Sequence, residues 1–95
     1  MDRRLSNLGL CQRASGLISG EELVLEGLRS NRIFYIFLAS DASENTKKRI
    51  LDKAKFYHVE VDESYSCNQL SQAIGKENRM TIGITNPGFL KILKK

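Results

Sequence analysis

One proline, one histidine and two cysteines in 95 residues leave this chain short of the raw material for several functions. His58 stands alone, which argues against a metal site built on imidazoles. Cys11 and Cys67 lie far apart and belong to no CxxC pair, so both are expected to be free thiols packed in a protein of the reducing cytoplasm. The longest apolar run, Ile33 to Ala39, is far too short to span a bilayer. Arg3 and Arg4 lead into a mixed polar stretch rather than the apolar core of a signal peptide. There is no GxSxG elbow and no phosphate-cradling P-loop. The single proline is joined by no Gly/Ser linker, low-complexity tract or internal repeat, so one domain over residues 1–95 is expected. The expectation is a non-enzymatic domain with no cofactor, no metal and no membrane.

What is present is an ordinary globular composition, 41% hydrophobic and 27% charged, with a formal charge of +4 and a pI near 9.3. A basic balance of this kind favours a polyanionic partner, because each phosphate neutralised releases counterions. A domain of this size buries only about two-thirds of its unfolded surface, so one core is all it can support.

Helix and strand patterns alternate along the chain. Leu5, Leu8 and Cys11 share one face of a helix from Arg3 to Ser15, ended by Gly16. Leu17-Ile18 reads as a short strand. Ser19 and Glu22 fit a capping box opening a helix that runs to Ser30, with Asn31 in its closing turn. Ile33–Ala39 is apolar throughout, the pattern of a central strand covered on both faces. Ser43 caps a third helix with Ile50, Leu51, Ala54 and Tyr57 on one stripe. Val59 and Val61 alternate with polar neighbours in a third strand. Ser66 and Gln69 form a second capping-box pattern before Leu70, Ala73 and Ile74, and Gly75 stops that helix. Met80–Thr85 is the last strand. Asn86 and Pro87 open a final helix with Phe89, Leu90 and Leu93 on its apolar side. Such alternation predicts a three-layer α/β/α sandwich with a mixed four-stranded sheet, mostly parallel.

Three segments are candidates for chemistry. On the helix after Ser19, Val24, Leu25 and Leu28 face the core, while Leu23, Glu26 and Ser30 point to water. An exposed leucine between Glu22 and Glu26 suggests a contact surface at this helix start. The loop Ser40 to Lys48 leaves the apolar strand and opens a helix with Lys47, Lys48 and Arg49, at the strand end where ligands of α/β sheets gather. The loop Gly75-Lys76-Glu77-Asn78-Arg79 joins a flexible glycine to two cations and an amide, a set suited to nucleic-acid backbone and base edges.

Leu8–Ala14, Ser19–Val24, Leu38–Lys48 and Ala73–Glu77 together resemble the bacterial YlxQ-type family, part of the ribosomal group of kink-turn RNA binders (the L-seven-Ae and L-thirty-e proteins). The similarity runs in order over nearly the whole chain and is most specific from Leu38 to Lys48. It implies an α/β/α fold, RNA binding without catalysis, and a cytoplasmic role around transcription, translation or the ribosome. It also implies that the start of the second helix, Gly20 to Ser30, enters the RNA and reads guanines of tandem sheared G·A pairs. The segment Ile74 to Met80 would cover extruded bases. The expected RNA-binding set is therefore Gly20, Glu22, Leu23, Glu26, Arg29, Ser40, Asp41, Lys47, Gly75, Lys76, Asn78 and Arg79. Against the family pattern Gly-x-Asn-Glu-x-x-Lys, Gly20 matches, whereas Glu22, Leu23 and Glu26 replace the Asn, Glu and Lys. The structured RNA expected as partner competes with one alternative, a basic protein docking on the same helix start through Leu23.

Overall fold

The apolar run does become a strand covered on both faces, though only Tyr35–Leu38 has strand geometry and Phe34 is exposed. A computed structural model describes residues 2–94. In order, the elements are α1 (Arg3–Arg13), β1 (Leu17–Ser19), α2 (Glu21–Arg29), β2 (Tyr35–Leu38), α3 (Glu44–Phe56), β3 (Val61–Asp62), α4 (Cys67–Ile74), β4 (Thr81–Ile84), a 3-10 turn at Pro87–Phe89 and α5 (Leu90–Leu93). The four strands form one mixed sheet in the order β1-β4-β2-β3. Helices α2 and α3 pack together on one face, and α1, α4 and α5 on the other, giving the expected α/β/α sandwich. Among the described residues, no helix is long and apolar enough to cross a membrane.

Alternation along β2 divides the core. Phe37 lies beneath the guanidinium of Arg4 on the α1 side, with Tyr35 next to it in an edge-to-face pair. Ile36 and Leu38 then point to the α2–α3 side, both fully buried. On that side Ile33 fills the space between Gly27 of α2 and Gly83 of β4. A Cβ on either glycine would come within 2.8 or 2.5 Å of the Ile33 Cδ1. The two glycines thus let helix and sheet close around one isoleucine.

The sheet is not mostly parallel. β2 pairs with β3 in parallel, but β4 is antiparallel to both β1 and β2. The reason is α4, which has only eight residues and does not carry the chain back along the sheet. It starts beside the carboxyl end of β2, where Ser40 N–H donates to the Tyr65 carbonyl (2.8 Å). It returns to the same end, where Ala39 N–H donates to the Met80 carbonyl (2.8 Å). β4 must therefore run the other way.

Local signals fared unevenly. Ser66 and Gln69 make the expected capping box, and Ser43 accepts from Thr46 N–H at the start of α3. Gly75 closes α4 in the left-handed region, and Asn31 adopts the same conformation after α2. The Ser19–Glu22 box does not form. Ser19 is spent pairing with Ile82 in β1, and Gly20 takes the cap position at φ +104° without a side-chain bond. Gly16 does not end α1 by conformation. Ser15 supplies the left-handed turn, and Gly16 is needed because a Cβ there would sit 2.8 Å from the Cys11 sulfur. On α3, Ile50 and Ala54 are buried but Leu51 is exposed, because the buried stripe is narrower than the sequence suggests. Replacing Ser66 by alanine should cost about 1 kcal/mol by chemical denaturation, the usual worth of an N-cap.

Candidate functional site

Because β4 is antiparallel, its amino end lies beside the carboxyl ends of β1 and β2: Ser19 is paired with Ile82, and Leu38 with Thr81. The three candidate segments thus meet at one edge of the sheet. Gly20 follows β1, Ser40 follows β2, and Gly75–Met80 precedes β4. Gly20 is the hinge of this edge. Its N–H donates to the Thr81 carbonyl (2.9 Å), and its own carbonyl accepts the first helical bond from Val24 (3.0 Å). A φ of +104° at that position is open to glycine and strained for other residues.

Glu21, on the first turn of α2, ties this helix to α3. One carboxylate oxygen accepts from the Thr46 hydroxyl (3.1 Å) and the other pairs with the Arg49 guanidinium. Across from Arg49, Arg79 reaches over Gly20. Its Nη1 lies 3.8 Å from the place a Cβ would occupy. The Arg79 Nε is buried with no hydrogen-bond partner among the described residues. The loop carrying Arg79 is set by left-handed residues at Gly75 and Asn78. It is also clamped by buried Ser71, whose hydroxyl accepts from Arg79 N–H at 2.9 Å. The result is a hollow of about 430 Å³ at the start of α2, lined by Gly20, Glu21, Glu22, Leu23, Arg49 and Arg79. Leu23 is 51% exposed there.

A second, larger hollow of about 730 Å³ lies on the other side of the loop. Lys76 and Asn78 line it from the loop, Asn68 and Gln72 from α4, and Asp41 from the segment after β2. Asp41 also holds the fold together here, since its carboxylate accepts from the N–H of Cys67 (2.8 Å) in the first turn of α4. Of the expected residues, Gly20, Glu22, Leu23 and Arg79 share the first hollow, and Asp41, Lys76 and Asn78 the second. Gly75 shapes the loop between them. Glu26, Arg29, Ser40 and Lys47 line neither; Glu26 and Arg29 sit further along α2, Ser40 is exposed after β2, and Lys47 is half-buried on α3. Arg49, which the sequence marked only as added charge, belongs to the first hollow. Its place one residue before buried Ile50, on the flank of the stripe, was the available signal. Asn68 and Gln72, one helical turn apart on α4, were missed because two exposed amides carry no pattern of their own.

The two cysteines differ. Cys11 is fully buried, and burial pushes its thiol up to about 11. Cys67 is half-buried at the rim of the larger hollow, its sulfur 3.8 Å from the Ser71 hydroxyl.

No family model matches the chain. Among curated proteins, it is 41% identical over 93 residues to the RNA-binding protein YlxQ of Enterococcus faecium, covering 98% of this chain and 89% of that one. It is 40% identical over 82 residues to the RNA-binding protein YlxQ of Bacillus subtilis, covering 86% and 82%. Among solved structures, a protein of unknown function from Bacillus halodurans superposes with a TM-score of 0.93 at 38% identity, over 98% of this chain and 94% of that one. The 15.5 kD RNA-binding protein of Giardia lamblia has the same fold, with a TM-score of 0.80 at 13% identity over 94% and 77% of the two chains. With two-fifths of its residues identical to these relatives over almost its whole length, the chain belongs to the YlxQ family.

Proposed function

We propose that this protein binds structured RNA without catalysing a reaction, seating it on the sheet edge between the start of α2 and the loop before β4. The observation that carries this reading is the convergence of Arg49 and Arg79 on the first turn of α2. Unpaired N–H groups at a helix start attract phosphate, and Arg79 adds a guanidinium with no ion pair among the described residues, while the charge of Arg49 is shared with Glu21. The relatives named as RNA-binding proteins support the same class of ligand. Glu22, Leu23 and Glu26 replace the amide and cation of the kink-turn pattern. Readout at the helix start therefore falls to carboxylates accepting from guanine N–H groups, while the arginines hold the backbone. In this reading the RNA is part of a ribosomal or other ribonucleoprotein particle in the cytoplasm, near the machinery of transcription or translation.

The test is a salt titration against a stem–loop RNA carrying an asymmetric internal loop. With Lys76 and Arg79 each neutralising one phosphate, the log–log slope should be about −2. Affinity should then fall roughly 15-fold between 50 and 200 mM salt. A slope near zero defeats the reading. Leu23 favours a second reading, a docking site for a basic protein, since a half-exposed leucine beside Glu22 suits such a partner better than phosphate. Capture of a protein that survives nuclease treatment and is abolished by Leu23→Asp supports that alternative.

A further inference from the structure

Charge at the hollow on α2 is balanced. Two guanidiniums, Arg49 and Arg79, and two carboxylates, Glu21 and Glu22, line it. Arg79 has no ion pair among the described residues, but Arg49 is paired through its Nε with Glu21. Exposed pairs of this kind are usually loose and count for little. Here the carboxylate is held. The Glu21 side chain is 22% exposed, against 59% for Arg49. Its other oxygen accepts from the Thr46 hydroxyl, which itself accepts from the Ser43 hydroxyl (3.1 Å). Ser43 is the N-cap of α3 and also takes the Thr46 N–H. The carboxylate is therefore fixed by the cap of α3 and by its own place at the first position of α2, where the helix dipole favours negative charge.

Glu21 does two things to Arg49. It cancels a charge that would otherwise draw in any phosphate backbone. It also anchors the guanidinium at the edge of the hollow while most of that side chain stays in water. These effects act on different ligands. A regular duplex is held by counterion release, which needs free cations and no particular geometry. A folded RNA that places one phosphate at the hollow gains from a guanidinium already in position, because less side-chain freedom is lost on binding.

We propose that Glu21 determines specificity at this site. By holding Arg49 neutralised but in place, it lowers affinity for ordinary duplex RNA more than for RNA whose fold fits the hollow. This rests on the RNA-binding reading and gives a role to the carboxylate set among its cations.

The experiment compares the stem–loop RNA carrying the asymmetric internal loop with a fully paired duplex of the same length. The proteins are the unmodified chain, Glu21→Gln and Glu21→Gln with Arg49→Gln. Glutamine keeps the shape of Glu21 and an oxygen for the Thr46 hydroxyl, and thermal melts check the fold. With one more free cation, Glu21→Gln should bind the duplex about tenfold more tightly at 50 mM salt and about fourfold at 200 mM, its log–log slope steeper by about one. Stem–loop affinity at 50 mM should rise about fivefold at most, since immobilising a freed arginine costs about two- to tenfold. The preference for the stem–loop should therefore fall about two- to tenfold. Adding Arg49→Gln should bring the duplex affinity and slope back to those of the unmodified protein. Equal gains for both RNAs, or no gain for the duplex, overturn the role of Glu21 and leave the seat standing. So does a double variant that keeps the gain. Failure of the unmodified protein to bind either RNA defeats the seat on α2, and the role of Glu21 with it.

Discussion

Arg79→Ala should weaken binding of structured RNA by roughly 10- to 100-fold while leaving the fold intact. Loss of a hydrogen bond to a charged group costs about 1.5–3 kcal/mol, and each 1.4 kcal/mol is tenfold in affinity. Arg79 is suited to such a role because its backbone is fixed before any ligand arrives. Ser71 holds its backbone N–H, left-handed Asn78 turns the chain into it, and its guanidinium already lies over Gly20. Little backbone freedom therefore remains to be lost on binding. The buried Nε has no partner among the described residues, so no ion pair there competes for the side chain. The salt slope should fall by about one unit as well. Arg79→Lys should recover the slope but only part of the affinity, since an ammonium keeps the charge and loses the planar fork. Filter binding at several salt concentrations, with thermal melts as a folding control, measures both. An unchanged affinity and slope would remove Arg79 from the seat.

Asp62→Asn should lower stability by about 3 kcal/mol, the cost of breaking a buried ion pair on one side. In a domain of this size that is roughly 15 °C in melting temperature. The Asp62 side chain is 2% exposed and pairs with Arg4 of α1. Its oxygens also accept from the Tyr35 hydroxyl (3.1 Å) and the Ser64 N–H (2.8 Å). Arg4 in turn donates to the Leu93 carbonyl (2.9 Å) and the Tyr65 hydroxyl (3.2 Å). One network therefore joins α1, β3 and α5. Burial pushes the Asp62 carboxyl up, but its bonds to Ser64 and Arg4 outweigh that and hold it at about 2, below the 3.8 of a free carboxyl. The folded state thus binds its proton later than the unfolded chain does. The stabilisation is complete above about pH 4 and is lost as pH falls from there through 2. The variant should lack this acid-side loss. Denaturant melts from pH 2 to 7 test it, and identical pH profiles for both proteins would refute the role given to the pair.

The two capping patterns show what a sequence conveys and where it stops. Ser66–Gln69 and Ser19–Glu22 spell the same signal, yet only the first closes. A box depends on four consecutive residues, and at Ser66 no distant demand interferes. At Ser19 the strand β4, more than sixty residues away, claims the residue for the sheet. Gly20 and Leu23 could be read directly, one from the family pattern and one from helical periodicity. Arg49 acquired meaning only from Glu21, its partner across a helix boundary.

Periodicity and composition by themselves determined the layers, most of the buried stripes (Leu51 of α3 excepted), the positive balance and the three segments that carry the candidate site, because each depends on neighbours within a few residues. The direction of β4 belonged to the tertiary structure. A helix of eight residues that begins and ends at the same sheet edge reverses the strand after it. That reversal brings Arg79 over Gly20, a proximity set by packing between residues nearly sixty positions apart.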